Sequence, residues 1–174
     1  MNNEIPIDAQ TEGFNRSDLR SLIAWLGLIV IVMLLGSLAT FSSVSTWFQT
    51  LKKPVFNPPD WIFGPVWTTL YLMMAIAAWL VWRKRADQTK RPAVNRFTTV
   101  FLVQLSLNLA WSFIFFTFQS PRFALVEICI LWVAIAASVI LAFRLNKLSG
   151  WLLVPYLAWT SFALFLNLAI VRLN

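Results

Sequence analysis

The 174-residue chain contains no histidine and one cysteine, Cys129. Lack of histidine removes the commonest general base, the commonest metal ligand and the usual axial ligand of haem. A lone thiol cannot form a disulfide within the chain, and a thiolate metal site would need partners that are not there. Cys129 sits in an apolar run and reads as a packing residue; no metal site is expected. Charge is also scarce: 12% of residues are charged, about half the share of an ordinary soluble protein. Ordinary acid–base catalysis therefore lacks its usual residues, and no cofactor is required by anything in the sequence.

What is abundant is apolar surface, at 59% of residues, with ten tryptophans and fifteen phenylalanines. A soluble fold of this size buries too little area to hide it. Five apolar runs, roughly 20–41, 62–82, 97–119, 123–143 and 150–171, each approach the length of about 20 residues that a helix needs to cross hydrocarbon. The expected fold is all-α, an integral membrane bundle of five transmembrane helices over residues 20–174. Residues 1–19 are polar and match neither a signal peptide nor a transit peptide; they read as a disordered tail.

The net charge of +7 would suggest nucleic acid in a soluble protein. Here the basic residues lie between apolar runs, so nucleic acid is not expected and the charge reports topology. Arg16, Arg20, Arg83, Lys84, Arg85, Lys90, Arg91, Arg96, Arg144 and Lys147 fall on one side, and Lys52, Lys53, Arg122 and Arg172 on the other. This asymmetry places the N-terminus in the cytoplasm and the C-terminus outside. The basic segment from Arg83 to Arg96 reads as a topology anchor, with anionic lipid as its alternative partner. Glu127, near the start of the fourth run, reads as an interfacial carboxylate with Arg122 as its nearest partner in sequence.

The connection 42–61 carries Pro54, Pro58 and Pro59, with Pro65 just beyond. Proline lacks a donor and fixes φ, so regular helix cannot persist there. A stiff aromatic excursion of this kind predicts a lid over a cavity; a plain belt of interfacial anchors would need no proline clamp.

Three runs carry aromatic stripes at helical spacing: Phe63, Trp67, Tyr71 and Met74; Gln104, Asn108, Trp111 and Phe115; Trp159, Ala163 and Asn167. Amides are costly against hydrocarbon and should face protein or a cavity. One amide is explained by helix–helix adhesion. Three stripes of similar mixture favour a cavity for a flat, mostly apolar molecule.

These residues carry a resemblance. Leu51-Lys-Lys-Pro-Val-Phe-Asn-Pro-Pro59, Phe63-Gly-Pro-Val-Trp-Thr-Thr-Leu-Tyr71 and Gln104-Leu-Ser-Leu-Asn-Leu-Ala-Trp-Ser-Phe-Ile-Phe-Phe116 are followed by Pro121 with Ala124-Leu125, then Pro155-Tyr-Leu-Ala-Trp-Thr-Ser-Phe-Ala163 and Leu166-Asn167. In this order they resemble the TspO/translocator protein family, the tryptophan-rich sensory proteins or peripheral-type benzodiazepine receptors. The match covers about residues 22–174. It implies a five-helix bundle, often a homodimer, in a bacterial cell membrane, with a ligand cavity closed by the first loop. Implied ligands are porphyrins (protoporphyrin and haem-related tetrapyrroles) and drug-like apolar molecules, with cholesterol in animal members. By motif position the ligand-binding residues would be Phe48, Pro58, Phe63, Trp67, Leu105, Asn108, Trp111, Trp159 and Ala163. Trp67 and Trp159 match the tryptophans tied to light-dependent porphyrin breakdown in some bacterial members. A regulatory contact with other membrane proteins is a further reading. The sequence departs from the family pattern at Phe48, where many members have Tyr, at Leu105, where a second amide can occur, and at Leu168, where the animal sterol motif needs Tyr.

The charge asymmetry predicts that a reporter active only outside the cytoplasm works when fused after Asn174. Activity there of a reporter that works only in the cytoplasm would reverse the topology.

Overall fold

A computed structural model describes residues 15–174. The expected tail lies outside the described residues up to position 14. Among the described residues there is helix and no strand. The elements are α1 (Arg16–Val44), α2 (Trp47–Thr50), a 3-10 turn (Asp60–Ile62) leading into α3 (Phe63–Arg83), α4 (Arg91–Ser112) running into a π turn (Phe113–Thr117), α5 (Pro121–Leu145) and α6 (Lys147–Leu173). Five of these helical stretches are long and apolar enough to cross a membrane.

The helices overrun the apolar runs because a helix keeps its own backbone bonds as it passes into the interface, where polar side chains meet water. Helix α1 starts at Arg16, with Asn15 as cap in a capping box with Asp18. Helix α4 starts at Arg91, six residues before the third run, because Pro92 in its first turn is pre-set for helix. Only residues 84–90 of the basic segment therefore connect α3 to α4. Within that connection the Thr89 hydroxyl (2.6 Å) and N–H (2.9 Å) donate to the Asp87 carboxylate, which also meets Lys90 at 2.9 Å. The Thr89 hydroxyl first, and then Lys90, hold that carboxyl well below its usual range.

Packing closes the five long helices into a ring in the order α1, α3, α6, α5, α4. The tightest pair is α5 with α6, joined through Asn146, whose side chain caps α6 by accepting from the Ser149 N–H at 3.1 Å. Gly150 lies where α6 presses on Phe143 of α5, and a Cβ there would run into the Phe143 ring. The Trp132 indole donates to Ser161 at 2.8 Å across the same pair.

One half of the bundle is solid. Ala75, Ala77, Ala78 and Val81 on α3 have no exposed surface and neither do Phe97 and Phe101 on α4. Trp25 of α1 packs edge-on against Trp82 (6.0 Å) and Phe101 (5.6 Å). Two expectations change here. Cys129 is exposed on the outer face of α5 and packs in no core, because its position on that helix turns it outward. Glu127 is buried between helices, and neither carboxylate oxygen has a hydrogen-bond partner among the described residues. It neither reaches the surface nor pairs with Arg122, since its place on α5 shares the buried stripe of Ala124, Ile128 and Leu131.

Gly150→Leu should destabilise the α5–α6 pair by about 1–3 kcal/mol, the usual cost of overpacking. A lowered midpoint of thermal unfolding in detergent, with helicity retained at low temperature, checks it.

Candidate functional site

The other half of the bundle, on the side of α2, is hollow. A cavity of about 630 Å³ lies inside the helix ring, within the usual size range of small-molecule sites. Its floor is set by a buried hydrogen bond between two stripes, in which the Tyr71 hydroxyl of α3 donates to the Asn108 amide oxygen of α4 at 2.7 Å. Its walls are Phe63 and Trp67 of α3, Trp111, Ser112, Phe115 and Phe116 at the end of α4, Ile128 and Leu131 of α5, and Trp159, Thr160, Ala163, Leu166, Asn167 and Ile170 of α6. Asn167 links two walls. Its amide oxygen accepts from the Trp111 indole at 3.3 Å and its amide nitrogen donates to the Pro121 carbonyl at 2.8 Å.

The π turn at the end of α4 widens the helix and turns successive phenylalanines toward the cavity. Phe115 stacks on Trp111 (5.1 Å) and meets Phe116 edge-on (4.8 Å). The turn is tied to α1, since the Ser43 hydroxyl donates to the Phe116 carbonyl at 2.7 Å and the Thr117 hydroxyl to the Ala39 carbonyl at 3.2 Å.

The proline-rich connection crosses the α2 end of the bundle. Phe48 of α2 lines the cavity, is buried, and meets both Phe115 (6.2 Å) and Phe116 (5.8 Å). The Lys53 ammonium lies 4.2 Å from the Phe48 ring centre. Gln49 ties the segment together by donating to the Val44 carbonyl (2.9 Å) and to the Asp60 carboxylate (2.8 Å). Further along, the Lys52 N–H donates to the Asn174 amide oxygen at 3.0 Å, and the Asn174 amide nitrogen donates back to the Lys52 carbonyl at 3.1 Å. That paired bond holds the connection to the end of α6.

Of the residues expected at the site, Phe48, Phe63, Trp67, Asn108, Trp111, Trp159 and Ala163 line one cavity. Two do not. Leu105 lies one turn beyond Asn108, beneath the Tyr71–Asn108 floor, and is packed in the solid half. Pro58 is half-buried in the connection, where its carbonyl accepts from Asn57 at 2.9 Å; the cover over the cavity comes from Phe48 instead. Met74 and Gln104 also fall beneath the floor, and the Gln104 amide has no hydrogen-bond partner among the described residues.

The sequence reasoning missed the wall supplied by α1: Met33, Gly36, Ser37, Thr40, Phe41 and Val44. The signal was present as small and hydroxyl residues at steps of three and four, which mark a face that does not pack tightly. No group of three or more metal-ligating side chains occurs among the described residues.

The chain matches the TspO/MBR family over residues 25–173. It is 43% identical to a tryptophan-rich protein TspO of Chlorobaculum tepidum, over 88% of this chain and 96% of that one. It is 38% identical to the human translocator protein, over 74% of this chain and 75% of that one. It is 34% identical to a tryptophan-rich sensory protein of Cereibacter sphaeroides, over 74% of this chain and 77% of that one.

Tyr71→Phe should leave the buried Asn108 oxygen without its donor and cost about 1–3 kcal/mol of stability. Asn108→Leu combined with Tyr71→Phe should recover part of that loss, measured by thermal unfolding in the same detergent.

Proposed function

The chain belongs to the TspO/MBR family of integral membrane proteins, and on that footing we propose that it is a receptor- or transporter-like protein for porphyrins and drug-like apolar molecules, with a role in tetrapyrrole regulation or stress response. The observation that carries this reading is the hollow half of the bundle: about 630 Å³ walled by Phe63, Trp67, Trp111 and Trp159 from three helices. Flat aromatic walls suit a macrocycle, whose faces gain from stacking. Asn108 and Thr160 supply polar groups that would orient a ligand edge. A chain without histidine would hold a haem-related ligand by stacking, and protoporphyrin needs no iron ligand at all. In the same reading the protein sits in a bacterial cell membrane, with Asn174 and the α2 connection outside the cytoplasm.

A second reading has an observation of its own. Trp67 and Trp159 line the same cavity, and Trp159 lies edge-on to Phe63 at 5.9 Å. A bound photosensitiser would thus have two oxidisable indoles within one cavity, which favours light-dependent porphyrin degradation as the alternative. A purely regulatory role through contacts with other membrane proteins would leave the hollow without a use.

Replacing Trp67 and Trp159 together by Ala should weaken protoporphyrin binding about thirtyfold, at about 1 kcal/mol per stacked ring. Quenching of the remaining tryptophans by protoporphyrin measures it, and undiminished affinity would sink the stacking site. Illumination with protoporphyrin under oxygen separates the two readings: a bilin-like product that disappears in Trp159→Phe supports degradation, and bleaching equal to that of free porphyrin opposes it.

A further inference from the structure

Helix α1 is tied to different neighbours at its two ends. Away from α2, the Asp18 carboxylate meets Arg83 of α3 at 3.2 Å, the Trp79 indole donates to the Asp18 carbonyl at 3.0 Å, and Trp25 packs on Trp82. Toward α2, its bonds go instead to the π turn of α4, through Ser43 and Ala39. The helix therefore leans from α3 to α4 along its length, and a gap opens between the α2-side halves of α1 and α3. Ser37 and Phe41 on α1, and Gly64 and Thr68 on α3, both line the cavity and are exposed. Residues with both properties border an opening, which runs from Ser45 and Asp60 at the α2 end down between α1 and α3, where the outer sides of the two helices meet lipid.

The border is chemically suited to passage from hydrocarbon. The Ser37, Thr40 and Thr68 hydroxyls all donate to carbonyls of their own helices, at 2.8, 2.7 and 2.9 Å. They leave no unpaired donor for an apolar molecule to desolvate. A Cβ at Gly64 would meet nothing within 4 Å. At the aqueous end Phe48 and the Lys52–Asn174 pair cover part of the cavity, while Ser45 and Asp60 line its rim and are exposed.

We propose that the cavity is loaded sideways, through a portal between α1 and α3, and so takes amphiphiles already dissolved in the bilayer in preference to water-borne solutes. The proposal deepens the ligand-binding reading above, but its geometry is tested without the physiological ligand.

In the full chain with Cys129→Ser, Ala163→Cys places a single thiol on the cavity wall. In lipid vesicles it should react with an uncharged, lipid-soluble maleimide, and at least tenfold more slowly with a sulfonated, membrane-impermeant one. Adding Gly64→Phe should slow the lipid-soluble reagent at least tenfold. A side chain at Gly64 starts in open space, and Thr68→Phe is the second variant should the first fail to fold. An unreactive thiol, labelling unchanged by either Phe, or equal labelling by the sulfonated reagent would each overturn the portal. Protoporphyrin serves as a separate probe: if it fails to protect the thiol while Gly64→Phe still slows labelling, the porphyrin reading falls and the portal stands.

Discussion

A chain that crosses hydrocarbon has no water to bond, so its polar groups pair within the protein wherever they can, with Glu127 and Gln104 as buried exceptions. Helices solve this for the backbone, and many of the hydroxyls follow the same rule locally. Thr69 and Ser106 donate to carbonyls four residues back in their own helices, as do Ser138 and Ser161. Amides cannot bond back in this way with both of their groups, so Asn108 and Asn167 reach across to neighbouring helices. Those cross-links fall on the side of the bundle that is hollow. Where side chains do not interdigitate, bonds of fixed length keep the helices at fixed spacing.

This division explains why the fold has a solid half and an open half. On α3 the residues change from Phe63, Trp67 and Tyr71 to Ala75, Ala77 and Ala78. Alanines let helices approach closely and fill the space between them. Large rings on the same helix hold neighbours apart. The Tyr71–Asn108 bond lies at the change of regime, which is why positions one turn beyond it are core and positions one turn before it are wall.

Much of this was legible in the sequence. Length and hydropathy give the five crossings, and helical spacing groups Trp67, Asn108, Trp111 and Trp159 correctly onto inward stripes. Spacing does not report depth along a helix. Gln104 and Asn108 share a stripe, as do Trp67 and Met74, yet the floor separates each pair. Nor does composition reveal lean. The wall supplied by α1 depends on that helix departing from α3, which follows from Ser43 and Thr117 bonding across to one another's helices, contacts 73 and 78 residues apart. The proline connection was legible as stiff, but which of its residues covers the cavity depends on where α2 ends and on the clasp at Lys52.

An open interior needs a reason to stay open, because a bundle in lipid gains dispersion energy by collapsing onto itself. The rings around the cavity answer this by packing on one another around its perimeter. Trp159 contacts Phe63 and Phe162, Trp67 contacts Tyr71 and Tyr156, and Trp111 contacts Phe115 and Phe116. Each ring already has a neighbour, so swinging inward would break a contact as it formed another. Such a wall is organised with the cavity empty, and a molecule entering it would not pay to order the side chains. The same ring contacts that hold the space open thus line it with aromatic surface.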